Sequence, residues 1–167
     1  MATWHIAQLN VGTTVAPLDS AELADFVAAL DGTNALAESS PGFVWRLKGD
    51  GGNATDIRAG DDPNFIVNMS VWESLEALFE FVYRSVHTRV MVRRRDWFRK
   101  PEQAYQVLWW VPAGHAPTVE EALARLEHLR AHGSTPHAFT FKERYPAPGE
   151  GGGPTDMKPE PYCVGWR

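Results

Sequence analysis

Apolar and polar residues alternate along five short stretches of the chain, and this period of two is typical of β-strands. A turn at Pro41-Gly42 precedes the second stretch, and a loop rich in glycine and aspartate over residues 48–64 separates the second from the third. The five predicted strands are residues 3–11, 43–48, 65–72, 105–111 and 137–142.

Apolar residues spaced by three and four predict three helices between these strands. Asp19, with Glu22 three residues later, predicts the start of the first helix, which we expect Asp31-Gly32 to interrupt before a turn that ends near Ser39. Ser74 is the expected N-cap of the second helix, which should run towards Phe98 with a break near Ser85. Its apolar stripe consists of Leu75, Leu78, Phe79, Val82, Val86 and Val90.

The third helix is predicted over residues 118–132, because Thr118 and Glu121 form a second capping box and Gly133 follows the last apolar position. The element order is therefore β-α-β, a long hairpin, β-α-β, then one helix and one strand. It predicts an α+β fold with a ferredoxin-like split βαβ arrangement, an antiparallel sheet with helices on one face, and an extra C-terminal helix and strand. We expect one domain over residues 1–145 and an irregular tail rich in proline and glycine over 146–167.

The strands sort their residues onto two faces of the sheet. One face is strongly apolar, and we expect it to meet the helices and form the core. Its members are Ala7, Leu9, Val11, Phe43, Trp45, Leu47, Phe65, Val67, Met69, Val71, Tyr105, Val107, Trp109, Val111, Phe139 and Phe141.

The opposite face is mixed, with aromatic residues beside amides and an arginine. It is too apolar for a solvent-facing surface and too polar for a dry core, because each buried polar group without a partner costs about 1–3 kcal/mol. We expect a second sheet from a homodimer partner to cover it, around a pocket for a small-molecule ligand. A dimer interface whose polar groups satisfy one another, without a ligand, is the alternative. The face includes Trp4, Ile6, Gln8, Asn10, Val44, Arg46, Lys48, Ile66, Asn68, Ser70, Trp72, Gln106, Leu108, Trp110, Ala138, Thr140 and Lys142.

Composition narrows the class of protein. The 167 residues are 44% hydrophobic and 22% charged, which excludes a disordered chain, and the single cysteine excludes an intrachain disulfide framework. The longest apolar run, residues 107–111, is far shorter than the about 20 residues of a membrane helix, and no basic segment precedes an apolar one at the N-terminus. We expect a soluble cytoplasmic protein with no membrane partner.

Positive charge is concentrated in one segment of an acidic protein. Residues 84–100 hold seven of the 16 lysines and arginines against Asp96 alone, so the segment carries +6 and the remainder −11 for a net charge of −5. Such a cluster is able to contact phosphate, or it forms a solvated helix face paired with acidic residues of the fold. We favour the second interpretation and expect no nucleic-acid partner, since the acidic remainder repels a phosphate backbone.

Several motifs resemble those of a known superfamily. The stretch Val71-Trp72-Glu73-Ser74-Leu75-Glu76-Ala77-Leu78, followed by Ser85-Val86-His87, resembles the antibiotic biosynthesis monooxygenases. The segments at residues 7–10, 41–47 and 108–115 are similar to an uncharacterised bacterial family of unknown function in the same superfamily. The first resemblance covers about residues 65–90, and the second covers most of residues 3–145.

This resemblance implies a dimeric α/β barrel built from ferredoxin-like protomers. It also implies a cofactor-independent monooxygenase that acts on a small aromatic molecule, or alternatively a dimeric protein that binds a small ligand or haem without turnover. By position, Trp72 and His87 match the strand-end tryptophan and helix histidine of the family, and Asn10 resembles a first-strand asparagine of some relatives. We therefore predict Asn10, Trp72 and His87 as catalytic residues, with no metal and no cofactor unless haem is the ligand.

The mixed face supplies the predicted substrate-binding residues. Oxygenation without a metal requires a site that deprotonates an electron-rich phenol, stabilises the resulting anion and excludes water. Amide donors stabilise the anion, and tryptophan side chains exclude water. Arg46 either pairs with an anionic substrate or forms a salt bridge within the interface. The predicted substrate-binding residues are Gln8, Arg46, Asn68, Trp110 and His115.

Each of four histidines has both a functional and a structural interpretation. His87 is suited by its ordinary pKa to act as a base or a ligand, but it also fits an exposed position beside Glu80 and Arg84. His115 lies on a loop just past a strand end, where binding residues often lie. The alternative is that His115 is a turn residue without a role in binding. His128 and His132 share one helix face and suggest a metal pair, although no third ligand is evident and the helix dipole also favours them there.

Overall fold

A four-stranded antiparallel sheet forms the centre of the protein. The computed structural model describes residues 3–85 and 87–156, with the side chains of residues 87, 88 and 156 left out of the description. The strands lie in the order β2-β3-β1-β4, which is the arrangement of a ferredoxin-like split βαβ unit and confirms the predicted α+β class. They are β1 (Trp4–Thr13), β2 (Phe43–Arg46), β3 (Phe65–Trp72) and β4 (Gln106–Pro112).

In the described part of the chain, five helices connect or flank these strands. A short 3-10 turn at Ala21–Leu23 leads into the first of them. The helices are α1 (Ala24–Ser39), α2 (Leu75–Arg84), α3 (His87–Val92), α4 (Arg94–Trp97) and α5 (Val119–His132). None of the helices in the described part of the chain has the length and apolar character needed to cross a bilayer.

The local start signals of two helices are confirmed. The Ser74 hydroxyl accepts a hydrogen bond from the Ala77 amide at 3.1 Å, and the Thr118 hydroxyl accepts one from the Glu121 amide at the same distance. The predicted break near Ser85 separates α2 from α3. The predicted start at Asp19 is wrong, because Ser20 precedes the 3-10 turn, and α1 continues through Asp31-Gly32 without interruption.

Helices cover both faces of the sheet, which corrects the prediction of helices on one face only. The apolar face packs against α5 through Ala122, Leu126 and Leu129, with Ile57 and Ala59 of the long loop beside them. The mixed face packs under α1 and α2 and, at its other end, under α4. The face predicted to meet a partner's sheet is therefore covered by helices of the same chain.

The C-terminal part of the chain is less regular than predicted. The expected strand over residues 137–142 is reduced to a single bridge, in which Leu108 and Phe139 exchange backbone hydrogen bonds of 2.8 and 2.9 Å. Beyond it, β5 (Glu143–Arg144) pairs with β6 (Thr155–Asp156). Residues 157–167, the end of the predicted tail, lie outside the described part of the chain.

Candidate functional site

A cavity of about 130 Å³ lies between the mixed face of the sheet and the helices above it. Its floor comes from β1, β3 and β4, and its roof comes from α1, the end of α2, α3 and α4. An apolar cavity of roughly 150 Å³ holds one benzene molecule. The cavity therefore has room for a single aromatic ring.

Strand register places the polar floor residues in two adjacent rows. Asn10 on β1 lies opposite Asn68 on β3 and Gln106 on β4. In the next row, Gln8 lies opposite Ser70. Residues two apart on one strand point to the same face, so the period-two pattern that marked the mixed face also brings these side chains together.

A chain of hydrogen bonds joins the two rows. Gln106 Nε2 donates to Gln8 Oε1 at 3.1 Å, and Gln8 Nε2 donates to Ser70 Oγ at 3.2 Å. Trp72 Nε1 donates to the same Ser70 oxygen at 2.9 Å. These bonds satisfy the polar groups of the buried Gln8 and Ser70 and fix the orientation of this part of the floor.

The Asn10 and Asn68 amides remain available to a ligand. Both line the cavity, Asn10 half-buried and Asn68 exposed, so the cavity opens to solvent near Asn68. Within the described residues, neither side-chain amide has a hydrogen-bond partner. Each amide offers two donors and one carbonyl acceptor to a molecule in the cavity.

Arg46 also lines the cavity, but its guanidinium is already engaged. Nε donates to Glu38 Oε1 at 2.8 Å, and Nη2 donates to the Gly52 carbonyl at 2.7 Å. Lys48 Nζ lies 2.8 Å from the same carboxylate oxygen. Hydrogen bonds from Lys48 and then Arg46 hold the pKa of Glu38 below its usual range. The two predicted roles of Arg46 were pairing with an anionic substrate and a salt bridge within a dimer interface; the structure contains a salt bridge, but it is formed with Glu38 of the same chain.

The roof near α1 and α4 is aromatic. The Phe26 ring lies 5.4 Å from Trp97 and 5.2 Å from Phe98, measured between centroids. Leu30 on α1 and Val90 on α3 extend this apolar wall. An apolar wall opposite a few polar groups is the usual composition of a small-molecule site.

Arg94 also lines the cavity, although it is not among the predicted site residues. The residue is 9% exposed, and its Nη2 donates to the Val11 carbonyl at 2.9 Å. Its guanidinium lies 4.6 Å from the Phe98 ring and 4.7 Å from the Tyr105 ring. Burial lowers the pKa of Arg94 from its ordinary value.

A sequence signal for Arg94 exists in the helical stripe. Val82, Val86 and Val90 are spaced by four, and the next position at this spacing is Arg94. A charged residue in an apolar stripe predicts a buried cation. A second pattern points the other way, because Arg94 also belongs to the basic segment 84–100, for which we favour a solvated helix face.

Three predicted site residues lie away from the cavity. Trp72 is fully buried beneath the sheet's helical cover, where its ring stacks on Phe81 at 5.0 Å, and it reaches the floor only through Ser70. Trp110 donates to the Tyr145 carbonyl at 2.9 Å and lines a separate groove near residues 145–155. His115 lies beyond the end of β4, with Nε2 2.7 Å from Glu121 Oε2.

The remaining histidines and the basic segment have other surroundings. His87 begins α3, but its side chain is outside the described part of the structure. His128 packs against His132 and His137, and no group of three metal-binding side chains occurs among the residues described. Burial, then Arg125 and His128, lower the pKa of His137.

In the basic segment, Arg84 pairs with Glu80, and Arg93 pairs with Asp25 and Asp96. The Arg93–Asp25 pair joins the segment of α4 to α1 across 3.0 Å. Part of the positive charge is therefore neutralised within the fold, in agreement with the favoured interpretation of this segment.

A family model of unassigned function matches most of the chain. A family model described as "Domain of unknown function (DUF3291)" matches residues 5–152. No curated protein matches. A protein of unknown function from Nitrosomonas europaea, NE2512, is 15% identical with a TM-score of 0.45 over 71% of this chain and 97% of its own. SnoaB, a cofactor-independent oxygenase from Streptomyces nogalater, is 18% identical with a TM-score of 0.45 over 67% and 95%.

Proposed function

We propose that this chain, which belongs to the DUF3291 family, binds a small aromatic molecule in the cavity and oxidises it with O₂ as a cofactor-independent monooxygenase. The observation that carries the proposal is the pair of unpartnered amides, Asn10 and Asn68, on the floor beneath an aromatic roof. Amides at this position would hold the oxygen atoms of a phenol, while the roof would exclude water from the ring.

The proposed reaction balances without a bound redox group. A phenol with a free ring position reacts with O₂ to give a quinone and water. One oxygen atom becomes the new ring carbonyl, the other leaves as water with two hydrogens of the substrate, and the substrate supplies all the electrons. The protein's part is to ionise the phenol, hold the anion against O₂ and keep bulk water out.

The phenol proton requires an acceptor, and we assign this role to His87. The assignment rests on the sequence resemblance together with the position of His87 at the start of α3, three residues before Val90 and four before Met91, which both line the cavity. Trp72 would be a positioning residue, because its indole N–H is bonded to Ser70 on the floor.

A binding protein without turnover is the second candidate. Among the described residues that line the cavity there is no carboxylate, imidazole or amine that would act as a base. Haem does not suit this candidate, because a porphyrin is far larger than a cavity of about 130 Å³ and the described lining offers no histidine to bind iron. A single-ring ligand fits both functions.

Oxygen uptake with a panel of dihydroxybenzenes tests the proposal. We expect the wild-type protein to consume O₂ above the uncatalysed rate, with one atom of ¹⁸O₂ in the quinone and one in water. Asn68→Ala should lower kcat by about 10²-fold, the usual loss of a donor to a developing oxyanion. His87→Asn should lower kcat by about 10²–10⁴-fold with little change in KM.

Gln103→Ala is the matched control, since Gln103 is an exposed amide outside the cavity lining. It should leave both rates unchanged. Saturable binding of the phenols without O₂ uptake would establish the second candidate, and absence of binding would contradict both.

We also propose that the chain forms a homodimer, as the resemblance to dimeric α/β barrels implies. The support is this resemblance alone, because helices of the same chain cover both faces of the sheet.

A further inference from the structure

The cavity holds a buried positive charge with no carboxylate against it. Arg94 is 9% exposed and lines the cavity, and of the side chains that the structure describes none is a carboxylate paired with it. Removal of a guanidinium from water is costly unless an anion or a full set of acceptors replaces the water. The two flanking aromatic rings offset only part of this cost.

The donors of Arg94 are also incompletely used. A guanidinium carries five N–H donors, and Nη2 donates to the Val11 carbonyl. The Nε atom is shielded from solvent and has no acceptor among the described residues. A buried donor without a partner in a cavity wall points to an acceptor that arrives with a ligand.

The position of Arg94 connects this charge to the free amides. Asn10 and Gly12 project from the same face of β1, two residues apart. A Cβ atom at Gly12 would lie 3.0 Å from Arg94 Nη2 and 2.5 Å from the Phe98 ring. The missing side chain of Gly12 therefore provides the space in which the guanidinium lies, next to the Asn10 end of the floor.

We propose that the cavity binds its aromatic ligand as an oxyanion, with the negative oxygen against Arg94 and the ring under the aromatic roof. This inference rests on the proposed aromatic-binding function and names its ligand class as ring-bearing oxyanions, phenolates above all. Arg94 stabilises the ionised form of a phenol, so part of the deprotonation that the reaction needs comes from binding itself. Arg46 does not have this role, because Glu38 and Gly52 already accept its donors.

Binding of 4-nitrophenol tests the inference, because its phenolate absorbs visible light and its phenol form does not. A positive charge within about 4–6 Å lowers the pKa of an acid by about 1–3. We expect the pKa of 4-nitrophenol bound to the wild-type protein to fall by at least one, which corresponds to at least tenfold tighter binding of the phenolate than of the phenol. The neutral analogue 4-nitroanisole should bind at least tenfold more weakly than the phenolate.

Arg94→Gln should abolish both the pKa change and the preference over 4-nitroanisole, while binding of 4-nitroanisole persists. Arg95→Gln is the matched control: it removes an exposed charge one residue away and should change neither quantity. If Arg94→Gln does not fold, binding of 4-nitrophenol and 4-nitroanisole to the wild-type protein still shows whether the cavity prefers the oxyanion. Arg94→Lys should then retain part of the pKa change.

The outcomes separate this inference from the proposed function. An unchanged or raised pKa of bound 4-nitrophenol overturns the inference, as does equal binding of the two probes, while either result leaves an aromatic-binding cavity in place. Binding of neither probe overturns both. A lowered pKa with no O₂ uptake by any phenol would support the oxyanion site in a protein that binds without oxidising.

Discussion

Ser70 is the point at which the polar floor of the cavity and the buried tryptophan of β3 meet. Its hydroxyl oxygen accepts from Gln8 at 3.2 Å and from Trp72 at 2.9 Å, and all three residues are buried. A sequence pattern identifies these residues as neighbours on one face, but not the shared acceptor, because a hydrogen bond depends on side-chain rotamers that only packing selects.

Ser70→Ala should destabilise the protein markedly, because it leaves two buried donors without an acceptor. Each unsatisfied donor costs about 1–3 kcal/mol, and urea unfolding followed by circular dichroism would measure the free energy of unfolding. Ser39→Ala, which removes only an exposed hydroxyl bonded to the Leu36 carbonyl, should change it by less than about 0.5 kcal/mol. Equal effects of the two substitutions would show that the Ser70 bonds are replaced by water.

Glu38 gives a pH-dependent contribution to stability. Its pKa is below the usual range in the folded protein because of Lys48 and Arg46, so the folded state prefers the ionised form. The stabilisation is complete above the unfolded pKa near 4.5 and is lost as pH falls through the lower folded value.

We expect Glu38→Gln to be less stable than the wild type at pH 7 and to approach it at pH 3, in thermal unfolding at low salt. Glu102→Gln, at an exposed position with no ion pair within the described residues, should match the wild type at both values. A Glu38→Gln deficit that persists unchanged to pH 3 would rule out the ion pairs as its cause.

Among the helices, α2 is the one whose register follows most directly from its apolar stripe. Leu75, Leu78, Phe79 and Val82 are buried in the structure, as their spacing predicts. Phe79 packs between Tyr83 at 4.8 Å and Phe141 at 6.0 Å. The stripe therefore joins the helix to the irregular segment after α5 as well as to the sheet.

Phe79→Ala should lower the free energy of unfolding by about 3–5 kcal/mol, through lost burial and the cavity left behind. Denaturant unfolding measures this loss. Val92→Ala is a control, because Val92 on α3 is 52% exposed and should cost less than about 1 kcal/mol. A loss at Phe79 below 1 kcal/mol would contradict its packed position.

At the scale of the whole molecule, the mixed face of the sheet does not require a second protomer to cover it. The mixed face is closed by α1, α2 and α4, and the apolar face is closed by α5 and the long loop. Apart from the mouth of the cavity near the exposed Asn68, neither face is left for the sheet of a second protomer.

The homodimer stays a prediction of the resemblance, and light scattering at micromolar concentration tests it. We expect about twice the protomer mass of 18.6 kDa. A monomeric mass would contradict the prediction. It would leave the cavity unaffected, because every described residue that lines it comes from one chain.

The predicted faces are wrong for Phe43, which lies beside an irregularity in β2, and for Ala138, Phe139 and Phe141, where the expected strand is a single bridge: Phe43, Phe139 and Phe141 pack on the mixed face and Ala138 on the apolar face. Elsewhere, local pattern was sufficient for the strands β1 to β4, the caps at Ser74 and Thr118, and the sorting of strand residues between the two faces. Each of these depends on neighbours within a few positions, so spacing and residue type determine them. These local patterns do not show which face of a strand packs against which helix.

That pairing is a property of the tertiary structure. The two β-α-β connections have the same handedness, so α1 and α2 lie on the same side of the sheet. Spacing along a strand does not show which of its two sets of alternating residues points to that side, because this depends on how each strand joins its neighbour. For the same reason, the sequence pattern did not determine which face of the sheet α5 covers. The period of two placed Gln8, Asn10, Asn68 and Gln106 on one face, but only the packing of the helices over that face enclosed these four strand amides in a cavity and brought the buried Arg94 to its wall.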